Sequence, residues 1–331
     1  MKTIKIGYMD CSHSDDYNAK EAFFTKLLSQ QYDVECSEKP EYLFYSVFGN
    51  KHHTFDGIRI FFTGENVVPN FNYCDYAFGF HHIEFEDRYM RLPLWRTYLK
   101  DLECALNKGL MDMEVAKRKF CCVVVSNVKQ TDGYREAFFE KLNAYKTVDS
   151  GGKYRNNVGG PVPDKFEFQK NYKFSLAFEN VSVRGYCTEK ILESFAAGTI
   201  PIYYGDETVV QDFNPKAFIN CHDYDSIDDV IAKIKELDEN DEAYLQMLNE
   251  PVFVGGKLPD KYSDESILKF LSNIFDKPIQ NAKRRKIIKH YADVDYRNMK
   301  QRDVYLIVKH FMRHKMVSLG RKIKKIFGKK Q

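Results

Sequence analysis

Short apolar runs alternate with amphipathic stretches from the start of the chain, stop at a glycine-rich break, and then begin again. Residues 3–8 read as a strand and 19–30 as a helix, and 42–48, 58–63 and 75–80 are strand-like. Residues 95–107 have helical spacing, 120–126 (F-C-C-V-V-V-S) form a buried strand, and 133–145 a helix. Strands joined by helices must lie parallel, with helices covering both faces of the sheet. Gly151, Gly152, Gly159, Gly160 and Pro161 then punctuate the chain densely enough to mark a boundary. The pattern resumes with a strand at 172–178, a helix at 188–197 stopped by Gly198, strands at 200–204 and 217–220, and a helix at 226–237. The expected fold class is α/β, with two Rossmann-like domains facing a central cleft. They span residues 1–148 and 149–280, and 281–331 form a helical basic tail.

The length agrees with that division, because 331 residues exceed what one hydrophobic core usually organises. With 44% hydrophobic and 29% charged residues the chain is globular and not disordered. A formal net charge of +3 gives no argument for a nucleic-acid partner. The charge is unevenly placed, however: after Asp303 no acidic residue follows, and the chain closes on Arg321, Lys322, Lys324, Lys325, Lys329 and Lys330. Across 305–327 apolar residues recur at 305, 308, 312, 316, 319, 323 and 327, with cations between them. Such a basic amphipathic helix suits peripheral attachment to an anionic membrane surface; the bland reading is a terminal helix packed on the protein body.

The eight cysteines contain no Cys-x-x-Cys pair and are expected to be reduced thiols. Neither a signal-peptide core nor a run of about 18 apolar residues is present, so a cytoplasmic protein is expected, peripheral on the inner face of the cytoplasmic membrane. Nicotinamide chemistry is poorly supported, since no Gly-x-Gly-x-x-Gly follows a strand. Tyr154 after Gly152-Lys153 rules out a P-loop, and the His52-His53 and His81-His82 pairs read as exposed loop residues without a second ligand pair. No resident metal or cofactor is expected.

The most informative stretch is 172–212. A strand ends at Phe178 and releases Glu179 and Asn180, and after a loop a helix opens near Thr188 with Glu189 and Lys190 in its first turn. Ligands bind where strands end in open α/β sheets. Free amides at a helix start, with a lysine beside them, make a diphosphate site that needs no metal.

F-E-N at 178–180 followed by Y-C-T-E-K at 186–190 resembles the donor-binding signature of the α-1,3-fucosyltransferases, glycosyltransferase family 10. I-P-I-Y-Y-G and D-F-N-P-K-A-F-I-N are similar to the bacterial branch of that family, as are residues 61–80 and D-R-Y-M-R-L-P at 87–93. The resemblance covers roughly residues 55–250 and implies a GT-B fold, GDP-fucose as donor, and inversion at the anomeric carbon. It implies that Glu65, in T-G-E, is the base that takes the acceptor proton. It also implies that Lys190 and Arg155 bind the diphosphate, while Asn180 and Tyr186 contact the nucleotide. Glu189 is expected to face the ribose or the charged fucosyl ring; Glu179 is read either as a donor contact or as a buried partner of the loop. The implied acceptor is an oligosaccharide or lipopolysaccharide, with O3 of GlcNAc in N-acetyllactosamine-type chains as the leading target (Lewis x). The alternatives are α-1,4 transfer to type 1 chains, or a related GDP-sugar reaction on a surface polysaccharide. Family relatives carry tandem heptads before the tail; here only D-V-D-Y-R-N-M at 293–299 resembles one.

Overall fold

The apolar runs become the strands of two sheets, and every strand pairing in both is parallel. The structure is a computed structural model that describes residues 1–12, 17–126 and 133–285. Met1–Arg284 make up one compact unit, which holds both sheets; Arg285–Gln331 fall in a second. The tail helix at 305–327 and the heptad-like 293–299 lie outside the described residues.

The first sheet contains β1 (Lys2–Met9), β2 (Tyr32–Cys36), β3 (Tyr42–Tyr45), β4 (Ile58–Phe61), β5 (Tyr76–Gly79) and β6 (Tyr89–Arg91), in the order β2-β1-β3-β4-β5-β6. The second contains β7 (Lys119–Val123), β8 (Val148–Ser150), β9 (Tyr172–Phe178), β10 (Ile200–Tyr204) and β11 (Ile219–Asn220), in the order β11-β10-β9-β7-β8. The helices used below are α1 (Phe23–Leu28), α2 (Leu99–Leu106), α3 (Tyr134–Tyr145), α4 (Lys165–Gln169), α5 (Lys190–Ala196), α6 (Ile227–Glu239), α7 (Asp241–Leu248) and α8 (Asp264–Phe275). Central β9 is buried along its whole length, as a strand covered on both faces must be. Its one cation, Lys173, is tolerated there because its ammonium reaches Asp238 at 3.2 Å.

The boundary expected at 148–149 falls inside the second sheet. β7 and β8 pair with each other, and β7 pairs with β9, so the changeover lies between β6 and β7. Trp95, fully buried, and Leu102 and Ala105 of α2 pack with Ile191, Leu192 and Tyr203 of the second lobe. The glycine-rich stretch has another cause: a Cβ on Gly152 would come within 2.0 Å of the Val125 carbonyl oxygen. Glycine there permits close backbone approach and does not mark a linker. The chain also crosses back. Ile267, Leu268, Leu271, Ile274 and Phe275 of α8 pack with Ile4, Ile6, Tyr42 and Ile58 in the core of the first sheet.

Candidate active site

The carboxyl ends of the two sheets meet where β5 and β9 run out. Phe80, just past β5, lies edge-on to Tyr186 with ring centroids 4.8 Å apart. Beside it Gly185 adopts φ +88°, and a Cβ there would sit 2.3 Å from the Phe80 carbonyl oxygen. Arg91, at the end of β6, clamps this approach. Its guanidinium donates to the Gly185 carbonyl at 3.1 Å and to Asp212 at 2.8 and 3.0 Å, and it pairs with Asp206 at 3.4 Å. Asp206 in turn accepts the Gly185 amide at 2.6 Å, and the Tyr262 hydroxyl donates to Asp212 at 2.7 Å. Both carboxylates are buried, so this network fixes the loop that carries Tyr186.

The carboxylate of Glu179 organises the next turn. It has no exposed side-chain surface and accepts from the Thr188 amide at 2.6 Å, from the Thr188 hydroxyl at 2.8 Å and from Lys190 Nζ at 2.8 Å. Of the two roles open to Glu179, the structure places it as the buried partner of the loop. The same contacts change the expected anion site: helix α5 starts at Lys190, two residues later than expected, and the Thr188 amide is already committed to Glu179. What faces outward is the Lys190 ammonium, 19% exposed, with Glu189 3.7 Å away. Burial pushes the Lys190 pKa down, but Glu179 and Glu189 outweigh it and hold the ammonium charged. Burial pushes Glu189 up, and Lys190, with help from Lys165 and Thr188, brings it below the usual carboxylate value.

Glu65 comes from the other sheet. β4 ends at Phe61, buried Thr63 accepts the Glu65 amide at 3.1 Å, and the glutamate itself is exposed. Its carboxylate acts on the Tyr186 hydroxyl together with those of Glu179 and Glu189. Burial first, and then these three charges, push the phenol pKa up against the pull of Lys190. Tyr186 therefore lies within electrostatic reach of Glu65 of one lobe and of the Lys190–Glu189 pair of the other.

Two of the expected residues have protein partners of their own. Arg155 has φ +44°, lies over the rings of Phe139 and Tyr154, and pairs with Glu140 of α3. The structure does not bring it to Lys190. Asn180 faces Arg135, whose guanidinium donates to the Asn180 side chain at 3.2 Å and to the Phe178 and Glu179 carbonyls at 3.1 and 2.9 Å. Arg135 and Arg91 were not singled out from sequence. Charged residues at a helix start and a strand end carry no signal that they are buried. His52, read as an exposed loop residue, is buried and bonds Asp10 at 2.7 Å; His82 is exposed and meets Thr208 of the second lobe at 2.8 Å. All eight cysteines are free thiols. Among the described residues no cluster of three His, Cys, Asp or Glu side chains is arranged to hold a metal ion, and no helix is long and apolar enough to cross a membrane.

Comparison with known proteins bears on the family and the fold. The model of the α-(1,3)-fucosyltransferase FucT N-terminal domain matches residues 6–98, and that of the glycosyltransferase family 10 (fucosyltransferase) C-terminal domain matches 115–249. The gap between them coincides with the changeover between the sheets. The α-(1,3)-fucosyltransferase FucT of Helicobacter pylori is 37% identical over 263 residues, covering 68% of this chain and 55% of that protein. An α-(1,3)-fucosyltransferase of Bos taurus is 35% identical over 141 residues, 41% of this chain and 35% of its own length. The chain thus spans about half, or less, of the curated relatives it matches. A crystal structure of an α1,3-fucosyltransferase with GDP-fucose superposes with a TM-score of 0.72 at 33% identity, over 84% of this chain and 92% of the other. The GT-B arrangement is shared with that structure and, at 10% identity and a TM-score of 0.50, with an α-glucosyltransferase.

Proposed function

This chain belongs to the fucosyltransferases of glycosyltransferase family 10, and from that premise we propose that it transfers L-fucose from GDP-β-L-fucose, with inversion, to O3 of GlcNAc in N-acetyllactosamine-type glycans. The observation that carries the reading is the contact of the two lobes at Phe80 and Tyr186, with Glu65 on one lobe and Lys190 beside Glu189 on the other, all acting on the Tyr186 hydroxyl. In this reading the acceptor hydroxyl loses its proton to Glu65 as its oxygen bonds the anomeric carbon. The bond from that carbon to the GDP oxygen breaks on the opposite face. Charge developing on the diphosphate is met by Lys190, and Glu189 offsets positive charge on the sugar ring. Arg155 joins the diphosphate by leaving Glu140. An exposed pair of this kind is worth only about 0–1 kcal/mol, so the exchange is inexpensive. Neutralisation by protein cations makes the reaction metal-independent in this scheme.

The test is a panel of GDP-fucose with type 1, type 2 and surface-polysaccharide acceptors, with and without EDTA. Transfer to O3 of type 2 chains in EDTA supports the reading, whereas products confined to O4 of type 1 chains or to polysaccharide replace it with one of those activities. Loss of transfer in EDTA overturns the metal-free scheme. Glu65→Gln is expected to lower kcat about 10²–10⁴-fold with GDP binding unchanged; a nearly active variant removes Glu65 as the base. Peripheral membrane attachment through the basic residues 305–327 belongs to the same proposal. Deletion after Tyr305 is expected to abolish co-sedimentation with anionic vesicles, and unchanged co-sedimentation would refute it.

A further inference from the structure

Helix α5 opens on two carboxylates that repel each other. Glu189 is its N-cap, and Glu193 follows one turn on, with its amide bonded to the Glu189 carbonyl at 2.9 Å. Residues four apart share a helix face, and like charges there are destabilising. Both side chains are only 20% exposed, so water screens them poorly. Helix α2 adds a third acid. Its Leu102 and Ala105 pack with Ile191 and Leu192 of α5, and Asp101 beside them lies within electrostatic reach of both Glu189 and Glu193. Tyr98 and Tyr186 stand within reach of Glu189 too, phenols that burial pushes up first and Glu189 further.

The opposing charge comes from α4. Lys165, the first residue of that helix, forms an ion pair with the Glu193 carboxylate. Helix α4 is pinned at both ends: Asp164 accepts the Glu167 amide at 2.9 Å, and the Gln169 amide donates to Ser175 of β9 at 2.7 Å. Its lysine is therefore delivered to one place. The three acids share it unequally. Burial pushes Glu193 and Asp101 up, Lys165 opposes this at both, and both stay above their usual values, with the Glu189 charge adding to the rise. Against burial, Lys190 first and then Lys165 and Thr188 bring Glu189 below its own. Of the three carboxylates, Glu189 is the one held ionised, and it is the one nearest Lys190 in the chain.

We propose that Lys165 and Glu193 are a positioning pair for the transfer: Glu193 anchors Lys165 one helical turn from Glu189, and Lys165 balances the surrounding acids so that Glu189 presents a full negative charge to the fucosyl ring. The pair acts within the fucosyltransfer reading above and depends on it. The test measures kcat and KM for GDP-fucose from pH 5.5 to 8.5, with GDP affinity by calorimetry, for the wild type, Lys165→Met, Lys165→Arg and Glu193→Gln. Removing a cation makes a carboxylate harder to ionise. Lys165→Met is therefore expected to move the acid limb of kcat up by about one pH unit, a loss of about tenfold below it, with GDP affinity within about twofold of the wild type. The charge on the ring develops in the transition state, so the loss falls on kcat and not on GDP binding. Lys165→Arg is expected to restore the profile. Glu193→Gln frees Lys165 to bond Glu189 directly and is expected to lower kcat at every pH, which leaves a second variant to decide if one misfolds. An unmoved acid limb in Lys165→Met, an equal loss in Lys165→Arg, or a parallel loss of kcat and GDP affinity overturns the pair alone. A wild type that transfers fucose from GDP-fucose to no acceptor overturns the fucosyltransfer reading and the pair with it.

Discussion

Replacing Glu179 by Gln separates a residue that touches the donor from one that holds the machinery in place. The amide keeps the side-chain shape and one acceptor oxygen. It also brings an NH2 group against donors that now bond a carboxylate: the Thr188 amide at 2.6 Å, the Thr188 hydroxyl at 2.8 Å and Lys190 Nζ at 2.8 Å. Removing one partner of a buried ion pair costs about 3–5 kcal/mol. The Lys190 side chain is 19% exposed and keeps Glu189 at 3.7 Å as a second counter-charge, which argues for the lower end of that range. At about 2–4 °C per kcal/mol, a loss of about 3 kcal/mol lowers Tm by about 6–12 °C. With Glu179 neutralised, burial has less opposition and the Lys190 pKa falls. The assay is thermal unfolding followed by circular dichroism at pH 7.5, paired with GDP titration. A Tm close to that of the wild type together with a large loss of GDP affinity would refute the structural role and restore Glu179 as a donor contact.

Gly185→Ala adds a Cβ 2.3 Å from the Phe80 carbonyl oxygen at φ +88°. Strain of this kind costs about 1–3 kcal/mol, and relief by loop displacement moves Tyr186, so KM for GDP-fucose is expected to rise more than tenfold; unchanged KM and Tm would contradict the clamp. His52, His53, His81 and His82 all have pKa values held below 6.5 by burial. Arg59 adds to this at the first pair and Arg91 at the second, and His53 lies at about 4. The folded state therefore binds fewer protons than the unfolded one below pH 6.5, and stability present above that pH is lost as pH falls toward 4. Denaturant midpoints at pH 7.5 and 5.0 check the sign, with the lower midpoint expected at pH 5.0; an equal or higher one there would count against it.

Much of the sheet architecture was legible because parallel strands buried on both faces leave continuous apolar runs. The 172–178 and 200–204 strands coincide with β9 and β10 residue for residue. The edge strands β2, β6 and β8 were not read: β6 and β8 have three residues each, and β2 carries charge on alternate positions. Glu65, Tyr186, Glu189 and Lys190 are singled out by motif resemblance, since their spacing in the chain says nothing about which of them come together. The roles of Arg91, although it lies in the D-R-Y-M-R-L-P segment, and of Arg135 are not legible in sequence, for the reason that makes them useful. Such an arginine is recognised by the carbonyls and carboxylates around it, and, apart from the Phe80 carbonyl bonded by Arg91, those lie 43 to 121 residues away in sequence.

The sequence alone determined the class of fold, the two-sheet plan and the family, because local periodicity and contiguous motifs are properties of neighbouring residues. Tertiary structure decided where one lobe ends, which sheet α8 covers, and that Glu179 spends its charge on Thr188 and Lys190. Those outcomes depend on which distant surfaces exclude water together, and on which buried charge finds a partner when they do. No window of the chain contains that information.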